Sequence, residues 1–205
     1  MCREASVIHL GFSREVFEAG AHICLVFRDE FERRKIVSRY IESGVLEDEK
    51  VSYFADAGTP SEVTEWLASM DVDITGALEH HSFLVEKAAD TYCPDGTFEP
   101  DRMIDTLKEV YVESRISGYP NARVTGEMTW ALQGMPGSER LIEYESGINS
   151  MVKTHPITAM CQYDANKFSG SLVYKALQVH PYMVVNGQLL KNPYYISEEQ
   201  ENRRE

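Results

Sequence analysis

The sequence predicts an α/β fold in which a mainly parallel sheet is flanked by helices in three layers, with a β-hairpin near the C-terminal end. Short apolar runs alternate with segments of helical periodicity, which is typical of a parallel sheet covered by helices. The first run, HICLVF at 22–27, is nearly all apolar, as in a strand that is buried on both faces. Asn186-Gly187 separates two short apolar runs and indicates a type I′ hairpin turn.

In the first half of the chain, strands and helices alternate. Asp29 and Glu32 have the spacing of a capping box, which begins a helix, and Gly44 is expected to end that helix. The motif TPSE at 59–62 places a capping Thr, a Pro and a Glu at the start of the next helix. We therefore predict a strand at 22–27, a helix at 29–43, a strand at 50–55, a helix at 59–70 and a strand at 76–85.

The second half continues the alternation after a turn at 93–96. Pro100 begins the longest helix, and Gly118 and Pro120 end it. The remaining predicted elements are a strand at 122–128, a helix at 138–152, a strand at 158–163, a helix at 169–179 and hairpin strands at 182–185 and 188–190. We expect one domain over 20–196, an N-terminal extension over 1–19 and a charged tail over 197–205.

Composition excludes several classes of function. The 205 residues carry a formal net charge of -13, which opposes binding to a phosphate backbone or to an anionic membrane surface. The four cysteines form no CxxC pair, as expected of a reduced, cytoplasmic protein. No apolar run approaches the roughly 20 residues of a membrane span, and the N-terminal residues do not resemble a signal peptide.

The connection between the first strand and its helix is where a phosphate-binding loop would lie. The residues there are Phe27-Arg28-Asp29-Glu30, which contain no glycine and no GK[ST] motif. Two carboxylates lie where the phosphates of a nucleotide would have to bind. The sequence therefore predicts that the chain does not bind and hydrolyse ATP in the usual way. The sequence also lacks the GxSxG motif that is typical of serine hydrolases.

Histidine and cysteine residues provide the first candidate site. His22 and Cys24 are two apart on a strand and therefore point to the same side. Cys161 lies on another predicted strand and His180 follows a helix. Such a set could bind a soft metal, but no spacing matches a known zinc motif. Burial in the core is the more ordinary role for such cysteines, so we assign no metal and no cofactor.

Strand ends provide the second candidate site, because ligands of open parallel sheets bind beyond the carboxyl ends of the strands. Glu127 and Trp130 lie at one such end, in the segment GEMTW at 126–130. Glu127 could accept a hydrogen bond, act as a base or cap the following turn, and Trp130 could line a pocket or pack in the core. Along 161–164, alternation predicts that Cys161 and Tyr163 share one face and that Gln162 and Asp164 share the other.

Taken together, several segments resemble the MEDS domain, a sensory domain named after methanogens and methylotrophs. The order and spacing of these segments fit the family between residues 20 and 195. The resembling segments are GAHIC at 20–24, RVTGEMTWAL at 123–132, LIEYE at 141–145, CQYD at 161–164, HPY at 180–182 and NPYY at 192–195.

The resemblance implies a RecA/KaiC-like sheet without a phosphate loop and a sensor of simple hydrocarbon or one-carbon derivatives in a prokaryotic signalling system. It implies an output through a histidine kinase or a transcription regulator, and we expect a homodimer because symmetric dimers are common. No helix-turn-helix is evident, so direct nucleic-acid binding is not expected. We expect one ligand pocket at the carboxyl ends of the strands. Its expected ligand-binding residues, taken from the two candidate sites and the resemblance, are His22, Cys24, Glu127, Trp130, Cys161, Tyr163, Asp164 and His180.

Two other functions remain open from the residues alone. One is a metal- or thiol-dependent enzyme in which Cys24 or Cys161 is the nucleophile and His22 or His180 is the base. The other is a degenerate ATPase fold that serves as an interaction scaffold. We expect the sensor rather than an enzyme.

Overall fold

A computed structural model describes residues 7–197 and Gln200. The strands of the described chain are β1 (Val7–His9), β2 (Val16–Glu18), β3 (His22–Phe27), β4 (Lys50–Ala55), β5 (Phe83–Lys87), β6 (Ala122–Glu127), β7 (Thr158–Asp164), β8 (Tyr182–Val185) and β9 (Gln188–Lys191). The helices are α1 (Glu30–Leu46), α2 (Pro60–Ser69), α3 (Thr75–Glu79), α4 (Ala88–Tyr92), α5 (Pro100–Ile116), α6 (Leu141–Met151) and α7 (Gly170–Val179). Short 3-10 helices cover Met128–Leu132 and Ser138–Arg140.

Seven strands form one sheet in the order β5-β4-β6-β7-β3-β8-β9. The pairings from β5 to β8 are parallel, and β8 pairs with β9 as an antiparallel hairpin around Asn186-Gly187. Asn186 and Gly187 both have positive φ, as a type I′ turn requires. The predicted fold class and its C-terminal hairpin are confirmed. Because the central strands are parallel, their carboxyl ends meet at one edge of the sheet.

Helices cover both faces of the sheet and bury a separate core on each. On one face, α1, α2 and α3 pack together with the β1–β2 ribbon, and we call this the α1 face. On the other face α4, α5, α6 and α7 pack over the strands, and we call this the α6 face. Successive residues of β3 alternate between them: Ile23 and Leu25 belong to the core of the α1 face, and Cys24 belongs to that of the α6 face.

Two predicted elements are wrong in part. The segment 76–85 was expected to be a strand, but its first half lies in α3 and the strand begins only at Phe83. The residues Gly-Ala-Leu-Glu at 76–79 include good helix formers, whereas the apolar residues from 83 form the strand. Gly44 does not end α1, which continues to Leu46. Gly44 is instead buried inside the helix, where a Cβ atom would lie 2.6 Å from Nε of Arg123.

The N-terminal segment takes part in the core. Ile8 and Leu10 are fully buried against the α1 face, and the carbonyl of His9 accepts hydrogen bonds from Ser43 (2.6 Å) and Arg123 (3.1 Å). Apart from Ser197 and Gln200, the predicted charged tail lies outside the described residues. Within the described part of the chain, no helix has the length and apolar character needed to cross a membrane.

Candidate functional site

A small cleft lies on the α1 face, at the edge where β3, β6 and β7 end. Its volume is about 40 Å³, which exceeds the roughly 10–15 Å³ that a cavity needs to admit one water molecule. We call it the α1-face cleft. A wider groove of about 420 Å³ between α1 and α2 shares Arg33 and Ala57 with it. The cleft is lined by Phe27, Glu30, Arg33, Ala57, Glu127, Thr129, Gln162, Asp164 and Lys167.

Arg33 forms the base of this cleft. Its side chain is buried, and Nη1 donates to Tyr53 (2.8 Å), to Glu127 (3.1 Å) and to Gln162 (2.8 Å). Nε donates to Glu30 at the mouth (2.8 Å). Burial would lower the pKa of Arg33, but Glu30, Tyr53 and Glu127 raise it above its usual value. The guanidinium is therefore a fixed positive charge that joins α1 to the ends of three strands.

Glu127 is held in place by donors on both carboxylate oxygens. Oε1 accepts from Arg33 and from the hydroxyl of Tyr53. Oε2 accepts from the backbone N–H groups of Asp56 (3.0 Å) and Ala57 (2.6 Å). With four donors, Glu127 organises the loop after β4 and has little capacity left to act as a base.

The N-terminus of α1 borders the cleft, and carboxylates surround it. Asp29 caps the helix, and its carboxylate accepts from the N–H of Glu32 (2.8 Å). Glu30 and Glu32 add negative charge in the first turn. A phosphate would meet these carboxylates where a phosphate loop would offer N–H groups, so we do not expect this helix to bind a phosphate.

A second polar site is buried on the α6 face. The carboxylate of Glu145 on α6 lies 3.1 Å from Nε2 of His22, 3.2 Å from Sγ of Cys161 and 3.4 Å from Nε2 of His180. The hydroxyl of Tyr163 donates to the other carboxylate oxygen. We call these five residues the α6-face cluster.

Outside the cluster, each histidine ring is held through its Nδ1 atom. Nδ1 of His22 lies 3.0 Å from Oδ1 of Asn149, whose amide nitrogen donates to the carbonyl of Val179 (2.6 Å). Nδ1 of His180 lies 2.7 Å from the carbonyl of Ala176. Because both partners are acceptors, both rings carry a proton on Nδ1, and both Nε2 atoms point into the cluster.

Burial controls the charges in this cluster. Burial and the adjacent His22 lower the pKa of His180 to about 3, so its ring is neutral at neutral pH. Burial and the charge of Glu145 raise the pKa of Cys161 well above its usual value, and the same two causes raise the pKa of Cys24. Burial would raise the pKa of Glu145, but the hydrogen bonds from His22 and Tyr163 hold it below its usual range.

The structure divides the eight predicted ligand-binding residues between these sites. His22, Cys161, Tyr163 and His180 belong to the α6-face cluster, and Cys24 is buried beside it, opposite Cys161 in the pairing of β3 with β7. Glu127 and Asp164 line the cleft on the other face of the sheet. Trp130 packs in the core, stacked on Tyr92 with ring centroids 4.7 Å apart. The expectation of one shared pocket is therefore wrong, because the sheet separates the two groups.

Two central residues, Arg33 and Glu145, were missed. Each lies on the apolar stripe of its helix: Ile36, Val37 and Tyr40 continue the stripe of Arg33, and Leu141, Tyr144 and Ile148 flank Glu145. A charged residue on such a stripe is buried and needs a buried partner. Its position on the apolar stripe could therefore have identified each residue as part of a buried polar site.

Solved structures with a similar fold belong to KaiC-type proteins. A KaiC-like protein of Pyrococcus horikoshii OT3 has a TM-score of 0.65 and 12% identity, over 88% of this chain and 80% of that chain. The flagellar accessory protein FlaH of Methanocaldococcus jannaschii has a TM-score of 0.60 and 13% identity, over 91% of this chain and 84% of that chain. At these identities the likeness shows the fold alone.

Fold and site together define a KaiC-like α/β domain without a phosphate loop. The family model for MEDS, the MEthanogen/methylotroph, DcmR Sensory domain, matches residues 21–181, and the chain belongs to this family. The transcriptional repressor DcmR of Methylorubrum extorquens is 34% identical over 79 residues, which are 38% of this chain and 30% of that repressor. The family gives the chain a sensory role in signalling, while the match spans less than a third of the repressor.

Proposed function

We propose that this chain is the sensory unit of a prokaryotic signalling protein and that it binds a one-carbon compound or another simple hydrocarbon derivative in the α1-face cleft. The observation that carries the proposal is the cleft, which lies beyond the carboxyl ends of three parallel strands, where such sheets bind ligands. Its volume of about 40 Å³ fits a molecule of a few heavy atoms.

The charges of the lining define the ligand further. Glu30, Glu127 and Asp164 are acidic and Arg33 and Lys167 are basic, which gives three negative against two positive charges. A small neutral or cationic molecule is therefore favoured over an anion. Phe27 adds an apolar wall, against which a methyl group can pack.

The site favours binding over turnover. Glu127 is held by four donors and Arg33 is permanently charged, so neither is free to move a proton. The cysteines Cys24 and Cys161 are buried on the opposite face of the sheet, so neither thiol can reach a molecule in the cleft.

The signal leaves the cleft through the loop after β4. Glu127 binds the N–H groups of Asp56 and Ala57, and α2 starts immediately afterwards with Thr59 as its cap. A ligand that shifts this loop also shifts α2, which is the kind of two-state element that a sensor needs. We assign the output to a transcription regulator or a histidine kinase, and the sensory unit to a homodimer.

Thermal stabilisation tests the proposal. Methanol and methylammonium are expected to raise the melting temperature, by roughly 5–10 °C at a hundredfold excess over Kd, and formate is not. Ala57→Trp fills the cleft from an exposed position and abolishes the effect. Ala89→Trp makes the same change at an exposed position of α4 and retains it. Equal stabilisation of both variants, or no stabilisation by any one-carbon compound, rejects the proposed site.

A further inference from the structure

One buried atom of the α6-face cluster lacks the partner that its position requires. Nε2 of His180 is fully buried and has no hydrogen-bond partner among the described residues. It faces Oε2 of Glu145 at 3.4 Å, although the ring carries its proton on Nδ1. Two acceptors that face each other without a proton repel, and a cation between them would satisfy both.

Four donor atoms converge on this point. Nε2 of His22, Sγ of Cys161, Nε2 of His180 and a carboxylate oxygen of Glu145 all lie within 4.8 Å of one another. The separations are 3.1 Å from His22 to Glu145, 3.6 Å from His22 to Cys161, 3.2 Å from Cys161 to Glu145 and 3.4 Å from His180 to Glu145. Ligands of a tetrahedral zinc ion, at bond lengths of about 2.0–2.3 Å, are separated by roughly 3.3–3.6 Å.

We propose that the α6-face cluster is a tetrahedral zinc site with His22, Glu145, Cys161 and His180 as its ligands. One thiolate and one carboxylate balance the two positive charges of the ion, and the two neutral imidazoles add none. The site is therefore electrically neutral, which lowers the free-energy cost of burying the ion. Mixed nitrogen, sulfur and oxygen donors in this geometry favour Zn²⁺ over Mg²⁺ or Ca²⁺.

The surroundings orient these ligands. Asn149 and the carbonyl of Ala176 accept the Nδ1 protons of the two histidines, which directs both Nε2 lone pairs inward. Tyr163 donates to the second oxygen of Glu145. Such outer partners are typical of metal-binding histidines and carboxylates. Binding breaks the S–H bond of Cys161, forms a zinc–sulfur bond and releases the proton to solvent.

The site differs in place and role from the α1-face cleft, since the sheet lies between them. The four ligands are buried, and they join β3, α6, β7 and the residue after α7. With every ligand supplied by the protein, the ion has a structural role. Because all four ligands are buried, we expect the ion to be acquired during folding.

Metal content and cobalt spectroscopy test the proposal on the full chain. The purified protein is expected to contain one zinc ion per chain by inductively coupled plasma mass spectrometry. Refolding of the metal-free chain with Co²⁺ should give the visible d–d bands of tetrahedral cobalt and the ultraviolet charge-transfer band of a cobalt–thiolate bond. A refolded chain that retains neither Zn²⁺ nor Co²⁺ after dialysis overturns the proposal.

Two matched cysteine variants make the test specific. Cys24 and Cys161 are both buried and lie opposite each other on the neighbouring strands β3 and β7. A serine is therefore expected to lower the stability of the protein by a similar amount at either position. Cys161→Ser should remove the charge-transfer band and weaken zinc binding by more than 100-fold, whereas Cys24→Ser should retain both. A band that survives Cys161→Ser, or is lost in Cys24→Ser, contradicts the assignment.

A third variant tests the outer partners without removing a ligand. Asn149→Leu leaves all four ligands in place and should reduce zinc affinity by roughly 10–100-fold, the usual effect of losing an outer partner. The cobalt spectrum should keep its thiolate band. An unchanged affinity shows that Nδ1 of His22 does not need this acceptor and counts against the proposed geometry.

Discussion

At the scale of single residues, Arg33 shows how a buried charge is made tolerable. Its guanidinium has lost its water, and three side chains at strand ends together with Glu30 replace the lost hydrogen bonds. This ion pair makes the protein little more stable than apolar residues would, because the cost of desolvating the charges offsets most of their attraction. It does fix the geometry at the base of the cleft, and that geometry depends on every hydrogen-bond partner.

Removal of Arg33 should therefore be costly. Arg33→Met leaves the carboxylate of Glu127 buried without its counter-charge and should lower the free energy of unfolding by about 3–5 kcal/mol. Urea denaturation measures this directly. Glu127→Gln in the same chain should recover part of the loss, with a coupling of roughly 0.5–3 kcal/mol between the two substitutions. Strict additivity of the two single effects would show that the pair does not interact.

The buried thiols give a second prediction at this scale. Cys24 and Cys161 are buried, so iodoacetamide at pH 8 should modify them far more slowly in the native protein than after denaturation. Peptide mass spectrometry resolves the two positions. Rapid modification of native Cys161 would indicate a reactive thiolate and would favour the enzyme over the sensor.

At the scale of elements, Gly44 lies within α1 because the helix packs closely against Arg123. Gly44 lies inside the helix, where alanine would normally stabilise by about 1 kcal/mol. A Cβ atom there would meet the side chain of Arg123 at 2.6 Å and that of Val51 at 2.8 Å. Arg123 is itself buried and paired with Glu49, so it has little room to move.

Gly44→Ala should therefore destabilise the protein by about 1–3 kcal/mol, because overpacking outweighs helix propensity. Urea denaturation gives the value. Gly76→Ala is the matched control in α3, where a Cβ atom would meet no heavy atom within 4 Å. That substitution should be neutral or stabilising by up to about 1 kcal/mol. Stabilisation by Gly44→Ala would mean that the helix does not pack on Arg123 this closely.

These elements also show what local sequence information can predict. Asp29 and Thr59 were expected to cap α1 and α2, and both do, because a cap depends on residues only three positions away. The end predicted at Gly44 was wrong, because the reason for that glycine is a contact with Arg123, nearly 80 positions away in the sequence. Local patterns contain no information about such a contact.

At the scale of the whole molecule, the sheet brings distant segments to two separate sites. Strand alternation correctly predicted that Cys161 and Tyr163 share one face and that Gln162 and Asp164 share the other. The strand order could not be predicted in this way, since it depends on long-range pairing. Without that order, His22 and Glu127 were expected in one pocket, although the sheet lies between them.

Loss of the phosphate loop gives a prediction for the fold as a whole. The chain retains a KaiC-like sheet, but carboxylates occupy the first turn of α1 and Asp29 already caps it. Mg²⁺-ATP at millimolar concentration should therefore leave the melting temperature unchanged within error. A reproducible rise with ATP, absent with the same concentration of inorganic phosphate, would indicate a nucleotide site that this account does not contain.

The place at which the ligand binds distinguishes the α1-face cleft from the other grooves of the protein. Amide chemical shifts of the isotopically labelled chain, followed during a methanol or methylammonium titration, report which residues the ligand approaches. We expect saturable shifts concentrated at Ala57, Thr129 and Lys167 around the α1-face cleft. Shifts concentrated instead in the groove of about 630 Å³ between 12–15 and the β8–β9 hairpin, or no saturable shift anywhere, would contradict the proposed sensory site.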